Sequence, residues 1–214
     1  LCGDIRPTLQ ALLSLLSAKT DRKFLDTMLE FYKEVQQKLQ TYVEDWGKED
    51  AISPEYVATI ISRLAADNAI FTVDTGMTNV WTARYIAATG KRSLLGSFNH
   101  GSMANAMPQA IGAALCQPGR EVYALCGDGG LTMLLGDLMT IKQYNLPVKV
   151  IVFNNRALGM VKLEMEVAGI PDWQTDMINP DFAAVAVAMG FTAYSIHQPD
   201  EVEPVLTKVR DAKG

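Results

Sequence analysis

Cysteine and histidine are scarce in this sequence, with three and two copies among 214 residues. Cys2, Cys116 and Cys126 form no paired spacing, so neither a disulfide framework nor a Cys/His zinc cluster is expected. Odd, unpaired thiols suit a reducing compartment, and the expected location is the cytoplasm. Basic residues are in the minority. Lys and Arg number 19 against 24 Asp and Glu, for a net charge of −5, which argues against a broad nucleic-acid footprint. Long apolar runs are missing as well. The best stretches, residues 9–18 and 148–153, fall short of the roughly 20 residues that span a bilayer. No basic n-region of a signal peptide precedes the first apolar stretch, and the chain opens on Leu1 rather than Met. The expectation is a piece of a longer protein.

What is present is an apolar fraction of 49% with 20% charged residues, enough to fold around a core. Residues 8–17 carry five leucines with helical spacing. From Asp21 to Trp46, Phe24, Leu25, Met28, Leu29, Tyr32, Val35 and Leu39 recur at three- and four-residue steps, which predicts one long charge-rich helix. Asp21 is placed to cap its start and Gly47 to end it. A polar linker follows at residues 47–50, and Ser53-Pro54-Glu55 opens a new helix with an N-cap serine and a first-turn proline.

Beyond it, apolar runs at 70–73, 122–126 and 149–153 read as buried strands, with a further strand at 192–196. Helical patterns lie around 79–88, 104–116, 132–144, 181–189 and 201–212. The alternation predicts an α/β fold, a mostly parallel sheet with helices on both faces, preceded by the long helix. Because the chain stops after a helix, one more strand is expected C-terminal to it.

The chemistry concentrates at two strand ends. Val122–Cys126 runs directly into Gly127-Asp128-Gly129-Gly130, and residues 150–153 run into Asn154-Asn155. Glycines admit close approach of a ligand, and amides at a helix start attract phosphate. A single carboxylate beside a phosphate site suits Mg²⁺, which takes few protein oxygens and completes its octahedron with phosphate and water. Both motifs would emerge at the carboxyl edge of a parallel sheet, where such folds bind ligands. Taken singly, each motif is ordinary turn chemistry. Thr132 breaks the G-x-G-x-x-G dinucleotide pattern, and the Walker pattern is absent.

Gly-Asp-Gly, 24 intervening residues and Asn-Asn together resemble the signature of thiamine diphosphate enzymes. The stretch from Gly96 to Pro108, with residues 126–130 and 154–159, is most similar to the quinone-linked bacterial pyruvate oxidases; residues 81–85 and 21–25 fit the same group. The resemblance implies three divisions: residues 1–20 as the tail of a central flavin-binding-type domain, 21–52 as a linker helix, and 53–214 as the diphosphate-binding domain, short at its C-terminus. It implies thiamine diphosphate and Mg²⁺ as cofactors, with FAD in the full-length parent. Asp128, Asn155 and the Ala157 carbonyl would hold Mg²⁺, and Gly129 and Gly130 would face the diphosphate. Met103 would be an apolar wedge under the cofactor; Gly101 and Met103 would grip its aminopyrimidine through backbone groups, and Ser102 would join the cofactor contacts. Thr75, Gly76, Leu158, Gly159 and Met160 would complete the cofactor contacts. Met160 and Glu164 would stand at the substrate.

Two departures from the group are Met160, where an aromatic is usual, and Thr75, where valine is. By their local pattern alone, Met103 also suits an ordinary core position and Glu164 a solvated helix face. His100 suits a loop hydrogen bond, His197 an inert loop and Cys126 a packed strand end.

The implied activity is oxidative decarboxylation of pyruvate to acetate and CO₂, with electrons passing through FAD to a quinone. Acetolactate synthase-like carboligation and phosphate-dependent pyruvate oxidation are the alternatives. A third is a cofactor-binding module without activity of its own, since the group's pyrimidine-contacting glutamate lies in another domain of a neighbouring subunit. That sharing implies a homodimer or homotetramer. In membrane-associated members a C-terminal tail binds lipid, and the enzyme sits peripherally on the inner face of the cell membrane.

Overall fold

The computed structural model describes residues 3–44 and 51–212. It divides into two compact units, residues 1–41 and 42–214, so the division falls inside the expected linker helix. The first unit holds helix α1 (Ile5–Leu13) and most of α2 (Lys23–Glu44). Asp21 caps α2 as expected, its carboxylate accepting the Lys23 N–H at 2.9 Å. Helix α1 starts earlier than the leucine spacing indicates and stops before Leu15 and Leu16. The Ser14 hydroxyl donates back to the Ala11 carbonyl there, and the last amides bond three residues back. Gly47 and the linker at 47–50 lie outside the described residues.

The second unit is a four-stranded parallel sheet in the order β2-β1-β3-β4. Its strands are β1 (Ile70–Val73), β2 (Ser93–Gly96), β3 (Val122–Gly127) and β4 (Val148–Phe153). Helices α3 (Pro54–Leu64), α4 (Met77–Tyr85), α5 (Ala106–Cys116), α6 (Asp128–Met133) and α7 (Leu138–Gln143) follow the alternation, then α8 (Gly159–Val167), α9 (Phe182–Ala188) and α10 (Val202–Asp211). The Ser53 hydroxyl accepts the Tyr56 N–H and starts α3 as the Ser-Pro-Glu pattern predicts.

Strand β3 explains why helices cover both faces. Val122, Ala124 and Cys126 point to one side, into a core with Met107, Ala110, Leu131, Leu138 and Ile141. Tyr123 and Leu125 point to the other, against Tyr56, Ile60, Ile61, Phe71, Val202 and Leu206. Both central strands are almost wholly apolar because neither face meets water, Thr72 being the polar exception on β1. Among the described residues, no helix is long and apolar enough to cross a membrane.

Three expectations change. Strand β2 carries only four half-exposed residues, too weak a pattern to stand out. The single helix expected at 132–144 is instead α6, a 3₁₀ turn (Leu135–Asp137) and α7. The break follows from Leu134, which leaves helical geometry at φ −127° and ψ 32° just before Gly136. Residues 192–196 form no strand. A groove of about 960 Å³ separates them from β4, leaving their backbone without a ladder partner.

One buried contact sets the spacing between sheet and helix. Thr72, fully buried on β1, donates its hydroxyl to the Ala106 carbonyl at the start of α5 at 2.7 Å. Thr72→Val keeps the volume and removes that bond, so chemical denaturation should show a loss of about 1–2 kcal/mol.

Candidate functional site

The carboxyl ends of β1, β3 and β4 open into one pocket. Pairing of β3 with β4 sets Gly127 beside Phe153, so Asp128 and the Asn154-Asn155 pair leave the sheet side by side. The pocket is lined by Asp128, Gly129 and Gly130 from one strand end and Asn155, Ala157, Leu158, Gly159 and Met160 from another. Thr75 and Gly76 come from the end of β1, and Met103 from the loop before α5. Gly101, Ser102 and Glu164 are exposed and lie outside this lining, the first two on the loop leading to Met103 and Glu164 on α8.

Asp128 is 3% exposed. One carboxylate oxygen accepts the Gly129 N–H at 2.9 Å, and the other accepts the Asn179 amide at 2.7 Å. The same Asn179 nitrogen donates to the Asn154 side-chain oxygen at 2.8 Å, so a single amide spans both strand ends. The Asn155 oxygen accepts the Ala157 N–H at 3.1 Å. That turn passes through Arg156 at φ +55°, an uncommon conformation for a non-glycine residue.

The two glycines after Asp128 are required by close approach. A Cβ on Gly130 would stand 2.2 Å from an Asp74 carboxylate oxygen and 3.2 Å from the Ala104 nitrogen. On Gly129 it would meet Met103 Cε at 3.1 Å, Leu158 Cδ2 at 3.2 Å and Met177 Sδ at 3.4 Å. Met103 therefore abuts the glycine turn rather than joining the core beneath the sheet.

A strap after α8 fastens the site. Leu158 N–H donates to the Thr175 carbonyl and Met177 N–H to the Arg156 carbonyl, each at 2.8 Å, and Asn179 follows. Lys162 pairs with Asp172 at 2.9 Å. The Thr175 hydroxyl and then Lys162 hold the Asp172 carboxyl below its ordinary range.

Asp74 is a site residue that the motif search passed over. It is 2% exposed and accepts the Ala106 N–H at 2.9 Å and the Gly127 N–H at 3.2 Å. Burial raises its carboxyl above the usual carboxylate range, against the lowering effect of its backbone donors. Its signal was available, since β1, like β3, runs into an acid with a glycine close behind it, here Gly76 two residues on. Asn179 and Met177 had none, because residues 179–181 read simply as a helix start, which Asp181 indeed caps. Cys126 is buried, its thiol pushed well up by burial, as befits a packed strand end. His100 and His197 are exposed.

The donors suit one kind of ion. Among the described residues no group of three or more His, Cys, Asp or Glu could hold a metal. The Asp128 carboxylate and the Asn155 amide, which both line the pocket, are hard-oxygen donors of the kind that could hold Mg²⁺ alongside phosphate.

Comparison with known proteins agrees with this chemistry. Residues 74–214 match the family model of the thiamine pyrophosphate enzyme, C-terminal TPP binding domain. YdaP of Bacillus subtilis, provisionally named as a thiamine pyrophosphate-containing protein, is 32% identical over 92% of this chain and 34% of its own length. Acetolactate synthase 2, chloroplastic, of Zea mays is 30% identical over 100% of this chain and 35% of its own. Acetolactate synthase isozyme 3 large subunit of Escherichia coli is 31% identical over 96% and 36% respectively. The chain thus spans about a third of the length of these relatives.

The glycine contacts generate a paired prediction. Asp74 is pinned by two backbone donors and cannot yield, whereas the Met103 side chain can swing. Gly130→Ala should cost about 2–3 kcal/mol in denaturant unfolding and Gly129→Ala under about 1 kcal/mol.

Proposed function

The chain belongs to the thiamine pyrophosphate enzymes, and we propose that its pocket holds the diphosphate end of that cofactor, with Mg²⁺, in an enzyme that decarboxylates a 2-oxo acid. One observation carries this proposal: the register of β3 and β4 delivers a buried aspartate and an asparagine pair to a common rim. Asp128 and Asn155 would supply side-chain oxygens to Mg²⁺, and Ala157 its carbonyl. Gly129 and Gly130 would present amides to the diphosphate. Met103, held against Gly129, would form the apolar ridge beneath the cofactor. When bound, the cofactor supplies the electron sink that lets the carboxyl group leave as CO₂. The protein's part is to orient it and to exclude water from the pocket.

For the fate of the two remaining carbons of pyruvate, the relatives favour carboligation. Two of those described above are named acetolactate synthases, and joining to a second 2-oxo acid is the reading we adopt. Oxidation to acetate, with FAD and a quinone, is the second reading. It is favoured by the resemblance of residues 96–108 and 154–159 to the quinone-linked oxidases. In either case residues 1–20 would belong to a central domain, and a second subunit would complete the site, in a dimer or tetramer. Met160 and Glu164 are the proposed substrate-side residues.

The metal role is tested by calorimetry of the chain with thiamine diphosphate and Mg²⁺. Wild type should bind, and Asp128→Ala should lose at least about tenfold in affinity. Unchanged binding would contradict the assignment. The same 214-residue chain should turn over no pyruvate with all cofactors supplied. An assay of the longer parent with pyruvate alone, with a quinone, or with oxygen and phosphate separates the fates by product: acetolactate, acetate or acetyl phosphate.

A further inference from the structure

Asp74 lines the same pocket as Asp128 and Asn155, and three chain segments converge on its carboxylate. It ends β1, and one oxygen accepts the N–H of Ala106, on the turn that follows Met103. The other accepts the N–H of Gly127, which opens the turn carrying Asp128. The space beside that second oxygen is filled by Gly130, too close for any side chain. Gly130 in turn packs on the backbone nitrogen of Ala104, which sits at φ +60°.

The clamped turns do different work. One holds the apolar ridge, the other the carboxylate and glycines of the anion site, and no hydrogen bond between their backbones joins them among the described residues. Asp74 is the side chain that bridges them. Charge-assisted bonds from backbone amides to a buried carboxylate are short-range and directional, so they set a spacing rather than merely adding stability.

We propose that Asp74 is the positioning residue of the site, a clamp that fixes the distance between the Met103 ridge and the Asp128–Gly130 turn. The proposal rests on the thiamine diphosphate reading for what is being positioned. The clamp itself rests on the two hydrogen bonds and the Gly130 contact.

Asp74→Asn preserves size but replaces one acceptor by an NH₂ group facing a backbone N–H. Trp81 lines the pocket and packs against Phe153 with ring centroids 5.2 Å apart and planes tilted by 34°, which makes its fluorescence a reporter. Titration of the chain with thiamine diphosphate at fixed Mg²⁺ should show affinity falling about ten- to a hundredfold in Asp74→Asn. Val202→Ala, which empties space in the core on the other face of the sheet and touches neither clamped turn, is the control for general destabilisation and should stay within about twofold of wild type. Wild-type affinity in Asp74→Asn, or equal losses in both variants, would overturn the proposal.

A second measurement needs no variant. In the wild-type chain, hydrogen exchange should report the Gly127 and Ala106 amides opening together and slowing together when thiamine diphosphate and Mg²⁺ are added. Independent exchange of the two amides would also overturn the clamp. Should wild type bind no thiamine diphosphate, the functional reading fails, while paired protection of those amides without ligand still decides the clamp.

Discussion

The parallel pairing of β3 with β4 is the constraint on which the site depends. Gly127 opposite Phe153 means that the next residue of each strand leaves the sheet at the same height. An aspartate and an asparagine pair thereby become neighbours although 25 residues separate Asp128 from Asn154. A slip of one residue would turn the Val122, Ala124 and Cys126 face into the opposite core and carry Asp128 away from its partners. The two apolar cores, one on each face of the sheet, are what make that slip costly. The packing of the core and the placement of the site are therefore one requirement.

Around this register the structure adds local devices, each with a defined task. Asp74 joins the ends of β1 and β3 to the start of α5. Asn179 reaches from the strap to touch both Asp128 and Asn154. Glycines stand where a side chain would collide with Asp74 or with Met103. The result is a corner that is rigid in its backbone, apolar on the Met103 side and oxygen-rich on the other. Such a corner suits a ligand with an anionic end and a flat apolar body.

Much of this was legible in the chain itself. Ile70–Val73 and Val122–Gly127 announce themselves because strands buried on both faces are apolar at nearly every position, with Thr72 the exception. Gly127-Asp128-Gly129 and Asn154-Asn155 stand out because polar residues abruptly end those runs. Residues 192–196 misled because apolar, β-prone composition states a preference, whereas a strand exists only with a partner, and the groove beside β4 denies them one. Asn179 was invisible for a different reason: its bond to Asp128 spans 51 residues and leaves no local pattern. Asp74 could have been found, had the rule applied to β3, an acid at a strand end with a glycine within two residues, been applied to β1 as well.

The central claim is that Asp128 and its neighbours hold a divalent ion against a diphosphate. Mn²⁺ substituted for Mg²⁺ tests it directly through the ³¹P resonances of thiamine diphosphate. In the presence of the wild-type chain those resonances should broaden strongly, as they must if the ion touches the phosphates within the pocket, and Asp128→Ala should abolish the protein-dependent part. Equal broadening with and without the Asp128 carboxylate would contradict the account.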